Sequence, residues 1–279
     1  MVKTFFITGT TTGFGAEMAK AALADGHNVV ATARNSKGLT FEGATEKNFL
    51  PVDLDVTKKE QIDAAFDAAI KKFGRLDVVT NNAGFGLAGP FETLDEDQIR
   101  FQMEVNFFGL IACTRKALEI MRTQSPSGGL IQQVTSIGGQ RGVPMFSVYC
   151  ASKWAVEGFT EALSHELKPE WNIKLTNIEP GGFRTEWAGK NMTYGEKNLD
   201  VYSHLNAKKS MGERHGKQAG DPVKAGKEMY KLAIHPEPPL RIVLGSDAHG
   251  AMEQKLKTYK ENIDKWASVS TSTDVDEGK

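Results

Sequence analysis

The chain has 279 residues, 40% of them hydrophobic and 25% charged, with a formal net charge of -1. That length is ample for a buried core, and the near-neutral balance gives no electrostatic pull toward nucleic acid or an anionic membrane surface. Two cysteines, Cys113 and Cys150, are too few for a disulfide framework, and no metal-ligand spacing surrounds them or the six histidines, so no metal is expected.

The run from Met1 to Thr8 is too short for a secretion signal and leads straight into glycines. Residues 3–8 read as a buried strand, followed by an alanine-rich helix over 13–25 and a second strand over 28–33. A third strand is predicted over 48–54, then an amphipathic helix over 58–73 that stops at Gly74. Next come a strand at 76–80, a long helix over 95–123, a strand at 129–135, a helix over 147–168 and a strand at 172–178. A helix around 221–234, a strand at 240–244 and a helix over 247–266 complete the pattern.

Strands and helices that alternate in this way predict an α/β fold, a doubly wound parallel sheet of about seven strands with helices on both faces. The strands are apolar throughout, as strands buried on both sides must be. One domain is expected over 1–267, with 268–279 a disordered tail. Residues 186–220 are the least regular part, and the stretch around 183–220 reads as a substrate loop or as a surface excursion. No segment approaches the ~20 apolar residues that span a bilayer. A cytoplasmic protein with no membrane or nucleic-acid partner is expected.

Thr8-Gly9-Thr10-Thr11-Thr12-Gly13-Phe14-Gly15 joins the first strand to the first helix. Gly9 permits a tight turn, Gly13 lets the backbone approach a pyrophosphate, and Gly15 removes a side chain where helix meets sheet. The helix N-terminus offers free N–H groups and a positive dipole end to phosphates. The second strand ends in Ala33-Arg34-Asn35, with no carboxylate for a ribose 2′-hydroxyl. A guanidinium there matches a 2′-phosphate, which favours NADP(H) over NAD(H); the alternative for Arg34 is a solvated loop charge.

Thr8-Gly9-xxx-Gly13-x-Gly15, Asn81-Asn82-Ala83-Gly84, Ser136 and Tyr149-xxx-Lys153 occur in one order and spacing. In these motifs the sequence resembles the single-domain branch of the short-chain dehydrogenase/reductase family, firmly over residues 3–185 and loosely beyond. The resemblance implies a Rossmann fold and an NADP-dependent oxidoreductase similar to carbonyl reductases. It also implies that Thr11, Thr12 and Phe14 help to form the cofactor loop. Asp55 and Val56 would contact adenine, although Asp55 also reads as a charge at a helix start. Asn82, Ala83 and Gly84 would line the adenosine side. Asn106 would join a proton relay, and Pro180, Gly181 and Thr185 would lie near the nicotinamide.

Tyr149 and Lys153 are spaced i, i+4 and so project from one helix face. Free tyrosine titrates near ~10, and a neighbouring ammonium favours its anion. Lys153 is therefore expected to tune Tyr149 as general acid/base, while Ser136 orients the carbonyl. The implied reaction interconverts a ketone or aldehyde and an alcohol by hydride transfer. Met145, Phe183 and Trp187 are candidates for the substrate pocket, with Tyr194 nearby; these residues also read as packing of the loop. The resemblance further implies a homodimer or homotetramer, with Phe101, Phe107 and Phe108 at or behind an interface. The rival functions are a cofactor-binding regulator without turnover and a non-redox epimerase or dehydratase on the same fold.

Overall fold

A computed structural model of the chain describes residues 1–275. The strands are β1 (Thr4–Ile7), β2 (Asn28–Ala33), β3 (Phe49–Asp53), β4 (Val78–Asn81), β5 (Gly86–Ala88), β6 (Gly129–Val134), β7 (Ile173–Pro180), β8 (Met192–Tyr194) and β9 (Arg241–Leu244). The helices are α1 (Gly13–Ala24), α2 (Lys59–Phe73), α3 (Glu96–Met103), α4 (Leu110–Thr123), α5 (Ser147–Glu166), α6 (Ala207–Arg214), α7 (Pro222–Ile234), α8 (Ser246–Lys265) and α9 (Ala267–Thr271). Seven strands form one parallel sheet in the order β3-β2-β1-β4-β6-β7-β9.

Both faces of this sheet are covered, which is why strands such as Thr4–Ile7 carry no exposed residue. On one face Met18, Ala22 and Leu23 of α1 and Met229 and Tyr230 of α7 pack against Phe5, Ile7 and Val29. On the other face Ile62 and Phe66 of α2 and Cys113 and Met121 of α4 pack against Phe6, Val30 and Val79. Phe6 stacks on Phe66 with ring centroids 4.1 Å apart. The chain order reverses beside β1, which pairs with β2 on one side and β4 on the other. The connections leaving the carboxyl ends of β1 and β4 therefore part there and open a crevice.

Three local features differ from the sequence expectation. The helix expected over 95–123 is interrupted: residues Glu104–Gly109 form a π-helical turn between α3 and α4. Such turns carry an extra residue per turn and re-aim side chains. Here the turn seats Gly109 on Val56, where a Cβ would lie 2.7 Å from Val56 Cγ2. The segment around 183–220, though mostly turns and loops, carries elements that the sequence did not show. It contains β8 and α6, and β8 pairs in parallel with β5, a strand too short to show in the sequence. Its apolar residues Trp187, Met192, Ala207 and Met211 dock on the start of α5, which orders it. The expected tail begins as a helix, α9, whose exposed Ser and Thr hydroxyls bond back to carbonyls one turn earlier, as Thr271 does to Ala267 at 3.1 Å. Residues 276–279 lie outside the described residues.

Candidate active site

The glycine loop is built by ties between the ends of β1 and β4. Thr8 Oγ1 accepts hydrogen bonds from the backbone N–H groups of Asn82 and Ala83, both at 2.9 Å. Asn82 Nδ2 donates in return to the carbonyls of Thr8 at 2.9 Å and Gly9 at 2.8 Å. Gly9 and Gly13 have φ of +69° and +64°, the left-handed region that penalises any Cβ. Thr12 begins α1 without a side-chain cap, and the first turn holds no acidic residue. Its N–H groups and dipole are thus left to an external anion. A Cβ on Gly13 would lie 3.4 Å from Thr185 Cγ2, so Thr185 stands across from the loop. Gly15 faces Gly9 and Asn82, just beyond the ends of β1 and β4, within this same knot.

Arg34 leaves the end of β2 exposed to solvent and, among the described residues, makes no ion pair. Asp55 follows β3. Burial works against its ionisation, but the N–H and hydroxyl of Thr57, together with Lys58 and Arg34, hold its carboxyl below the usual carboxylate range. Val56 is buried. Asp53, which the sequence did not single out, clamps the loop after Arg34: its Oδ1 accepts from both the backbone N–H and the hydroxyl of Ser36 at 2.7 Å.

Ser136, Tyr149, Lys153 and Asn106 are brought together at the carboxyl ends of β4 and β6. Ser136 follows β6 in extended conformation, and its Oγ accepts the Gly138 N–H at 3.0 Å. Tyr149 and Lys153 occupy successive turns of α5 and are only 7% and 6% exposed. Lys153 Nζ donates to the Val134 carbonyl at 2.8 Å and lies 5.9 Å from the centre of the Tyr149 ring. Asn106 is fully buried in the π-helical turn. Its Oδ1 accepts from Phe85 N at 3.2 Å, and its Nδ2 donates to Phe85 O at 3.1 Å and Ser152 Oγ at 3.2 Å. Gly84 lies between two of these groups: a Cβ there would be 3.1 Å from Asn106 Oδ1 and 3.7 Å from Lys153 Nζ.

The electrostatics depart from the expected tuning. Burial raises the Tyr149 phenol above the ordinary tyrosine range, and the Ser136 hydroxyl offsets only part of this. Lys153 does not reverse the shift. Its ammonium is turned to the Val134 carbonyl, and burial lowers its own pKa to about 8, with Glu157 acting in the opposite direction.

Trp187 covers Tyr149, with ring centroids 5.1 Å apart, and stacks on Phe146 at 5.8 Å. Met145 and Tyr194 pack against the same cluster. Met145 holds a φ of +68°, an unusual conformation for a residue with a side chain, and its carbonyl accepts the Gly89 N–H at 2.8 Å. Phe183, the third pocket candidate, packs beside the glycine loop. Its ring meets Phe14 of the glycine loop edge-on at 5.0 Å, and its backbone bridges to Gly220. Thr185 Oγ1 accepts the Trp187 N–H at 3.3 Å. The turn at Pro180-Gly181 is fixed by Asp247 of α8, whose Oδ2 accepts the Gly182 N–H at 2.8 Å. Asp247 and Phe146 had no motif to mark them in the sequence.

The family model described as short chain dehydrogenase matches residues 3–194. The chain belongs to this family. As a short-chain dehydrogenase, it is 36% identical over 274 residues to an uncharacterized oxidoreductase of Schizosaccharomyces pombe, covering 98% of this chain and 92% of that one. It is 34% identical over 248 residues to a 3-ketodihydrosphingosine reductase of Bacteroides thetaiotaomicron, covering 86% of each. Among solved structures, a short-chain dehydrogenase from Streptomyces avermitilis superposes with a TM-score of 0.88 at 34% identity, covering 99% of this chain and all of that one. The protein is thus an oxidoreductase of this family with its Rossmann-type sheet. Among the described residues, no helix is long and apolar enough to cross a membrane.

Proposed function

We propose that this protein is an NADPH-dependent reductase that converts a ketone or aldehyde into an alcohol. The observation that carries the reading is the meeting of Ser136, Tyr149 and Lys153 beside Asn106, across a crevice from an uncapped, glycine-lined helix start. That helix start fits a dinucleotide pyrophosphate, because a Cβ at Gly9 or Gly13 would be strained and no carboxylate competes with the phosphates. In this reading Gly9, Thr11, Thr12, Gly13, Phe14 and Gly15 hold the pyrophosphate and Arg34 the 2′-phosphate. Asp55, Val56, Asn82, Ala83 and Gly84 hold the adenosine side, and Pro180, Gly181 and Thr185 the nicotinamide side.

When bound, NADPH supplies the hydride. Ser136 donates a hydrogen bond to the substrate carbonyl oxygen and holds it beside Tyr149. Tyr149 gives that oxygen its proton. Lys153 binds the nicotinamide ribose and places positive charge beside the phenol. Asn106 anchors the relay that returns the proton. The cluster of Met145, Phe146 and Trp187 around Tyr149 supports an apolar or aromatic substrate. The 3-ketodihydrosphingosine reductase among the relatives, whose name is that of a keto-group reductase, supports the same reaction type. The exposed rings of Phe101 and Phe108 support assembly as a homodimer or homotetramer.

The test is a fluorescence titration with NADPH and NADH, followed by a carbonyl panel on wild type and Tyr149→Phe. The expected result is tighter NADPH binding, turnover of some ketones by wild type, and no turnover but nearly unchanged NADPH binding by the variant. An active Tyr149→Phe would remove the assigned role, and binding of neither cofactor would overturn the reading from the glycine loop onward.

A further inference from the structure

A buried carboxylate lies behind this site, one helical turn beyond Lys153. Glu157 is 5% exposed. Its Oε1 accepts from Thr135 Oγ1 at 2.5 Å, and its Oε2 accepts from Asn177 Nδ2 at 2.6 Å and Arg241 Nε at 3.1 Å. Asn177 Nδ2 and Arg241 Nε can only donate, so Oε2 is held as an acceptor by an amide and a guanidinium. The three partners come from the end of β6, the middle of β7 and the start of β9, so one side chain ties three strands to α5. Thr135 directly precedes Ser136, and its N–H and hydroxyl both reach the Ile178 carbonyl, at 2.8 and 3.0 Å. The loop after Ser136 rests on the same turn of α5: a Cβ at Gly139 would lie 3.0 Å from the Lys153 carbonyl and 3.1 Å from Glu157 Cγ.

Stability alone does not account for this charge, since buried ion pairs are often no more stabilising than packed apolar side chains. Here a second carboxylate adds repulsion. Glu179 is 1% exposed, accepts from Gln140 Nε2 at 3.0 Å and stands 3.8 Å from Arg241 Nε. Burial and the Glu157 charge push Glu179 up to about 7.

We propose that Glu157 is a positioning residue of the reaction centre, holding the strand end that carries Ser136 and placing a buried negative charge one turn from Lys153. This rests on the reading of Tyr149 and Lys153 as the reacting pair. The charged groups around Glu157 are Lys153 on its own helix, Glu179 from β7 and Arg241 from β9, with Glu161 sharing Arg241 and Lys255 of α8 acting on Glu179. Glu157 is the charge that raises Lys153 against the effect of burial. Without it, Lys153 loses its proton at lower pH.

The experiment is steady-state kinetics across pH, with NADPH and one accepted ketone, on wild type, Glu157→Gln, Glu157→Asp and Tyr149→Phe. Glu157→Gln is expected to lower kcat by about tenfold or more and to move the alkaline limb of the pH profile down by about one unit. Glu157→Asp, which keeps the charge, is expected to restore the limb. A folded Glu157→Gln whose alkaline limb stays in place overturns the proposal. Should that variant not fold, Thr135→Val carries the test: it removes one donor and keeps the charge, so kcat/KM should fall several-fold with the limb unmoved, and an unchanged kcat/KM overturns the strap to Ser136. Activity in Tyr149→Phe would instead overturn the underlying reading, which separates the two failures.

Discussion

Gly15→Ala places a methyl group 2.6 Å from the Gly9 carbonyl oxygen and 2.6 Å from Asn82 Nδ2. Ordinary contact needs roughly 3.5 Å, so the loop must open by roughly 1 Å. Neither obstacle yields freely, because the two atoms are hydrogen-bonded to each other at 2.8 Å. Overpacking of this kind costs about 1–3 kcal/mol, and a broken hydrogen bond about 1 kcal/mol. Alanine's better helix propensity returns about 1 kcal/mol. The net loss of stability is about 1–3 kcal/mol, a fall of roughly 2–10 degrees in Tm for a chain of this size. The larger effect is on binding, since the displaced N–H groups are those assigned to the pyrophosphate. NADPH Kd is expected to rise by about tenfold or more, corresponding to ~1.4 kcal/mol. The assay is a fluorescence titration paired with a thermal melt. Gly158→Ala is the control, at an exposed glycine of α5 with nothing within 4 Å of an added Cβ; it should raise Tm slightly and leave Kd alone. A Gly15→Ala protein that binds NADPH with wild-type Kd would refute the assignment of the loop.

Arg34→Ala should weaken NADPH by about tenfold while leaving NADH nearly unchanged, as titrations with both would show; equal losses would remove the 2′-phosphate argument. Glu179→Gln should flatten the acid side of the stability profile. The folded group titrates near 7 against an ordinary value of 4.5. Between those values the folded protein keeps a proton that the unfolded chain releases, so stability is fully present below about 4.5 and falls as pH rises toward 7. The contribution is on the order of 3 kcal/mol, read from urea midpoints at the two ends of the window. An equal decline in wild type and variant would assign the slope to other groups.

The alternation of strands and helices was legible because it is local. Phe5–Ile7 is apolar at every position, and Lys59–Phe73 ends at Gly74 in the left-handed conformation that a helix stop uses. Tyr149 and Lys153 were legible for the same reason, since i, i+4 spacing on a helix settles their common face. Glu157 continues that face at i+8, a signal present in the sequence. A charge on a helix is ordinarily solvated, and only packing reveals it as buried.

What the chain determined by itself were the features that depend on neighbours in sequence: periodicity, turns at glycine, and the spacing of reactive groups along one helix. Tertiary structure decided whatever depends on distant partners. Phe183 and Trp187 are four residues apart, yet one joins Phe14 and the other covers Tyr149. Met192 and Tyr194 become a strand only because Gly86 and Ala88 lie alongside. The surroundings of Tyr149 follow the same division: spacing places Lys153 nearby, but burial, a property of the whole fold, pushes the phenol up.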